Sequence, residues 1–193
     1  MAILLGAAYH ASAQYYPGYS SNRSLKLDIG ISSGFSTGIV SNYFPEAGGL
    51  TLGLEVPLKQ SPVSVLFQTG YTFYVSGGGY DVGVDGYGYG YGVYYDGDIA
   101  SFIPLEAGLK VYPAPRIFIE GLAGASFNVN NYASDYTYKG TAFIYSAGAG
   151  YSFPLGFRGR NSTDLSLFYE SRPETGGGYN QIGVKAVFSF ALH

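Results

Sequence analysis

Eight stretches of this 193-residue chain alternate apolar and polar side chains with period 2, and every charged residue inside them falls in the same phase. Period 2 is the repeat of a β-strand, whose successive side chains point to opposite faces. One phase is apolar: Leu25, Leu27, Ile29, Ile31; Leu50, Leu52, Leu54, Val56; Ile103, Leu105, Ala107, Leu109, Val111; Ile182, Val184, Ala186, Phe188, Phe190, with matching runs in four further stretches. The other phase carries Lys26, Asp28, Glu55, Gln68, Glu106, Lys110, Glu120, Asp164, Glu170, Arg172 and Lys185. A water-soluble barrel turns its apolar phase inward and its charges outward. Eight segments whose charges share one face predict the reverse, with the apolar phase meeting lipid. The predicted fold class is all-β: an eight-stranded antiparallel up-and-down transmembrane β-barrel.

Composition agrees. Glycine (30) and tyrosine (21) are abundant and charged residues are only 12%. Glycine suits strands that curve into a small barrel, and tyrosine suits the interface belts. The mean hydropathy of +0.09 resembles that of a soluble protein. That is the expected masking when only every second residue is apolar. With no cysteine there is neither a disulfide framework nor a thiolate metal site. A net charge of -3 without a basic run gives no basis for nucleic-acid binding. No stretch of about 18 apolar residues marks a transmembrane helix. Residues 1–13 read as a signal peptide, possibly truncated at its start: a short apolar run leads to Ala11-Ser12-Ala13, the small-x-small form that signal peptidase accepts. Residues 14–23 would be a short periplasmic segment and 24–190 the barrel domain.

Predicted strands span 24–35, 49–57, 63–75, 99–112, 116–128, 141–153, 163–172 and 180–190. Connections alternate in length: 58–62, 113–115 and 154–162 are short or moderate, whereas 36–48, 76–98, 129–140 and 173–179 are mostly longer and rich in Gly, Tyr, Asn and Asp. Short periplasmic turns and longer extracellular loops show this alternation. Charge divides the same way. Arg23, Lys59, Arg116, Arg158 and Arg160 fall at the short-turn end, while Glu46, Asp81, Asp85, Asp96, Asp98, Asp135 and Glu174 fall in the long loops. In segment 76–98, Tyr87, Tyr89 and Tyr91 alternate with glycine. Its plainest reading is a flexible low-complexity loop. The sharper one continues the flanking strands past the membrane as a hairpin and makes these tyrosines, with Asp96 and Asp98, an interaction surface.

The run Ile103-Pro104-Leu105-Glu106-Ala107-Gly108-Leu109-Lys110-Val111-Tyr112-Pro113, followed by Ile117-Phe118-Ile119-Glu120-Gly121-Leu122-Ala123-Gly124, resembles a known pattern. It is similar to the outer-membrane β-barrel domain family of Gram-negative bacteria, which includes small OmpA/OmpX-like and PorT-like barrels. Ala147-Gly148-Ala149-Gly150-Tyr151 and the aromatic-ended Val187-Phe188-Ser189-Phe190 also fit, although Ala191-Leu192-His193 follows where the family usually ends on the aromatic. The resemblance implies an outer-membrane location and, through PorT-like members, a helper role in secretion or envelope assembly. The family is functionally mixed, so fold and location follow from it more firmly than activity.

Catalysis at the rim of such a barrel commonly needs a histidine as general base. The sequence has His10, in the expected signal peptide, and His193 at the C-terminal end, so no enzyme, cofactor or metal centre is predicted. The inward charges instead read as a lumen network: Lys26, Glu55, Glu106, Lys110, Glu120, Glu170, Arg172 and Lys185. An eight-stranded lumen is narrow enough for side chains to fill, and unpaired burial would be costly. The expected role is structural, anchoring or interactive, with a narrow channel or transporter for small solutes as the alternative. Expected partners are outer-membrane lipid and lipopolysaccharide, together with envelope or secretion proteins, around a monomeric chain.

Overall fold

A computed structural model describes residues 24–59, 61–77, 80–84, 90–94, 99–129, 140–155, 161–174 and 178–192, with the backbone alone for 80–84 and 90–94. Ten strands follow one another: β1 (Lys26–Thr37), β2 (Glu46–Pro57), β3 (Val63–Val75), β4 (Tyr80–Val84), β5 (Gly90–Tyr94), β6 (Ile99–Ala114), β7 (Ile117–Asn128), β8 (Thr141–Leu155), β9 (Asn161–Arg172) and β10 (Tyr179–Ala191). Eight of them close into an antiparallel barrel in the order β1-β10-β9-β8-β7-β6-β3-β2. Barrel strands that follow one another along the chain pair all round it, and β1 against β10 closes the ring from Lys26↔Ala191 to Thr37↔Asn180. Closure leaves the barrel no edge strand, so every ladder group has a neighbour. β4 and β5 form a separate two-stranded sheet in the β3–β6 connection. They are thus a hairpin of their own, and neither a structureless loop nor an extension of the two barrel strands. No helix among the described residues is long and apolar enough to cross a membrane.

The apolar phase faces outward. Ile31, Leu50, Leu105, Leu167 and Val184 are all exposed, at 57% or more for each. The charged phase faces in, with Glu55, Glu106, Lys110, Asp164 and Arg172 all at 3% or less. That inversion is workable only when hydrocarbon surrounds the wall.

The strands run slightly longer than the periodicity shows. β1 continues through Ser36 and Thr37 because Gln181 and Asn180 pair with them, although both β1 residues are polar. The first long connection therefore shrinks to 38–45 and holds a single 3-10 turn, Ile39–Asn42. β6 carries its ladder to Ala114 across an irregularity after Val111. The tight turn to β7 then places Arg116 at a φ of 69°, a left-handed conformation that L-residues seldom adopt.

Glycine has a second use inside the wall. Glu106 lies opposite Gly124, and Leu122 opposite Gly108. Glu120 lies opposite Gly148, and Phe118 opposite Gly150. Large inward side chains thus face bare backbone across the ladder, which lets a narrow lumen hold them. At Gly124 a Cβ would come within 1.9 Å of the Leu105 carbonyl oxygen, so no other residue fits there without moving the strand.

Candidate functional site

The inward phase builds a stack of side-chain clusters from the short-turn end to the long-loop end. Alternation along β1, β2, β3, β6 and β9 aims Lys26, Glu55, Ser64, Lys110 and Asp164 into the same part of the lumen. Lys110 pairs with Asp164 and, at 3.4 Å, with Glu55. Lys26 reaches the same Glu55 oxygen at 3.7 Å. The other Glu55 oxygen accepts hydrogen bonds from the Ser64 hydroxyl at 2.7 Å and the Tyr112 hydroxyl at 3.3 Å. The Lys110 ammonium also stands 4.3 Å from the centre of the Phe118 ring, a cation–π distance. Two lysines and two carboxylates from four strands are therefore locked together, and hydroxyls occupy further acceptor positions on Glu55.

Higher in the lumen the pairing thins. Lys185 meets Glu120 at 2.5 Å. Glu106 is held by neutral donors: Gln68 donates to one oxygen at 3.4 Å and Ser146 to the other at 3.2 Å. Glu170 accepts from Gln181 at 2.7 Å. Apolar side chains alternate with these groups, since Leu66, Leu122, Ile144 and Phe168 are buried on the inward phase. The lumen is thus a mixed interior rather than a purely ionic one.

At the long-loop end a different cluster closes the barrel. Tyr74, Phe102 and Tyr179 meet with ring centroids 4.8 to 5.9 Å apart, and Phe44 joins from the first connection at 6.0 Å. The Arg172 guanidinium lies 4.1 Å from the Phe102 ring centre and pairs with Glu174 at 2.5 Å. Arg172 therefore belongs to this outer cluster and not to the lysine–carboxylate network below. Glu174 corrects the expectation of an acidic loop residue in solvent, because its side chain is only 6% exposed.

The interior leaves little room. Its two cavities measure about 20 Å³ each, enough for roughly one water apiece. A larger hollow of about 420 Å³ is a dent in the outer wall between Ile29, Ile31, Leu50, Leu52 and Tyr71, away from every polar cluster. Among the described residues no group of three or more His, Cys, Asp or Glu side chains is arranged to hold a metal ion.

Of the proposed interaction residues, Tyr91 lies in β5 with its backbone opposite Gly83. Tyr87, Tyr89, Asp96 and Asp98 lie outside the described residues, as do both histidines and segment 1–23. Sequence reasoning alone does not single out two groups that the structure places in these clusters. Asp164 shares the charged phase, but periodicity assigns it no partner. Tyr74, Phe102 and Tyr179 carry a usable signal, since they are aromatics beside the long connections.

No protein-family model matches the sequence, and no curated protein sequence matches it. Among solved structures, the chain is similar to the Yersinia pestis outer membrane protein Ail in a phospholipid bilayer nanodisc. The identity is 14% over 85% of this chain and 99% of that one, with a TM-score of 0.49. It is also similar to a de novo designed transmembrane β-barrel, at 12% identity over 86% of this chain and 94% of that one, with a TM-score of 0.46. The fold rests on this chain's own geometry: a closed eight-stranded antiparallel barrel, apolar outside and charged within.

Proposed function

We propose that this chain is a small outer-membrane barrel that acts as a non-catalytic anchor, presenting the segment between β3 and β6 to a partner of the cell envelope. One observation carries the reading. Clusters of side chains fill the lumen from Lys26 at one end to the Tyr74–Phe102–Tyr179 group at the other, while the connection above β3 and β6 builds a sheet of its own outside the wall. A filled barrel has its strands committed to lipid and to the lumen, which leaves recognition to exposed connections. A role beside secretion or envelope-assembly proteins, with lipopolysaccharide around the outer wall, fits that arrangement.

Two experiments test it. The protein is expected in the outer-membrane fraction, with different gel mobility before and after boiling; recovery from the soluble periplasm would refute the location. Replacing residues 78–95 by a short Gly-Ser turn is expected to keep that heat-dependent shift while losing a partner-dependent surface phenotype. Retention of every partner would reduce the segment to a spacer. The competing channel reading needs a continuous path, and two cavities of about 20 Å³ argue against one.

A further inference from the structure

β4 and β5 pair from Tyr80↔Tyr94 to Val84↔Gly90, and no third strand joins them among the described residues. The ribbon therefore has two outer edges whose backbone donors and acceptors meet no ladder. Natural proteins blunt such edges with lysine, proline or an inward-pointing charge. Segment 76–98 contains no Lys, Arg or Pro at all, so the two commonest blocking residues are absent. Its charge is one-signed: Asp81, Asp85, Asp96 and Asp98 with no basic residue. Exposed Glu46, the first residue of β2 at the same end of the barrel, adds to that sign.

Each feature narrows the occupant. An open, unguarded edge accepts an extended chain through main-chain hydrogen bonds, with little demand on side-chain sequence. Four aspartates favour a positively charged strand and speed its encounter. They also disfavour a second copy of this chain, because two such ribbons would bring eight carboxylates together.

We infer that the β4–β5 ribbon binds a basic, extended polypeptide segment of a partner protein by adding it as a further strand. This rests on the proposed role of segment 76–98 in recognition and names the chemistry of what that segment recognises.

The test uses the full barrel in nanodiscs of zwitterionic lipid and three short synthetic peptides: alternating Lys-Val, alternating Glu-Val and alternating Lys-Pro. Fluorescence anisotropy reads binding, and amide hydrogen exchange over residues 80–94 reads strand addition. Expected results are binding of Lys-Val with protection of those amides, no binding of Glu-Val or Lys-Pro, and loss of binding when Asp81, Asp85, Asp96 and Asp98 are all changed to Asn. Equal binding of Lys-Pro would show charge attraction without strand pairing and overturn the inference. So would binding of Glu-Val, binding of none, or a hairpin-dependent dimer in sedimentation. The 78–95 replacement separates the two proposals. If it keeps every cellular partner while the intact ribbon binds Lys-Val, the functional reading fails and strand addition stands. If partners are lost but no peptide binds, strand addition fails and the functional reading stands.

Discussion

Replacing Lys110 by methionine, which keeps the stem and removes the charge, probes how the lumen is held. Lys110 is the ion-pair partner of two carboxylates, yet the two are unequally dependent on it. Glu55 keeps Lys26 at 3.7 Å and the Ser64 hydroxyl at 2.7 Å. Asp164 has no other salt bridge among the described residues, and its side chain is 3% exposed. Removing one member of a buried pair costs about 3–5 kcal/mol, because the remaining charge stays buried and uncompensated. The lost cation–π contact over Phe118, at 4.3 Å, adds about 0.5–2 kcal/mol. The expected loss is therefore about 4 kcal/mol, a shift of roughly three decades in the folding constant. Urea titration in lipid vesicles, followed by the heat-dependent gel shift, measures it. The asymmetry predicts the rescue: Asp164→Asn added to Lys110→Met restores most of the loss, and Glu55→Gln restores less. A loss under about 0.5 kcal/mol, the scale of an ordinary surface substitution, would refute the reasoning. So would better rescue by Glu55→Gln.

Three further outcomes follow from the geometry. Ala107 faces outward at mid-strand, so Ala107→Arg should cost about 2–4 kcal/mol in vesicle folding, whereas Gly83→Arg in β4, outside the barrel wall, should leave insertion unchanged. Tyr179→Ala removes the ring shared by Tyr74, Phe102 and Phe44 and should destabilise by about 3 kcal/mol in the same titration, with an unchanged outward face. Pro104 offers no N–H, the pairs expected beside it drop out of the β3–β6 ladder, and Thr69 instead donates to the Pro104 carbonyl at 2.8 Å; Thr69→Val should cost about 1 kcal/mol and speed amide exchange at Gly70 and Tyr71.

The barrel itself is legible in the sequence because lipid imposes the simplest pattern a strand can carry. The phase of a strand is unambiguous when Ile103, Leu105, Ala107 and Leu109 are all apolar and Glu106 and Lys110 stand between them. The periodicity places the ends of β3 where the structure has them, at Val63 and Val75. It misses the strand ends at Ser36–Thr37 and Asn161, because polar residues outside the hydrocarbon carry no alternation while the ladder continues by pairing alone. Contacts inside the lumen are legible as composition but not as pairs. Lys110 and Asp164 are 54 positions apart, and only the register across β6 to β9 brings them together. Arg172 departs from the expected network for the same reason: its neighbour Phe102 comes from the distant strand β6, and its carboxylate partner Glu174 reads as a loop residue.

The central claim is that the two faces of each strand meet hydrocarbon and a packed lumen. The chain has no cysteine, so single cysteines can be placed along β6 from Ile103 to Val111 and spin-labelled without background. Collision with oxygen, which partitions into lipid, and with a water-soluble nickel chelate reports the surroundings of each label. The account predicts high oxygen access and low nickel access at 103, 105, 107, 109 and 111, and low access to both reagents at 104, 106, 108 and 110. Nickel access at the even positions would reveal a water-filled pore. Nickel access at the odd positions would show that the apolar face does not meet lipid at all.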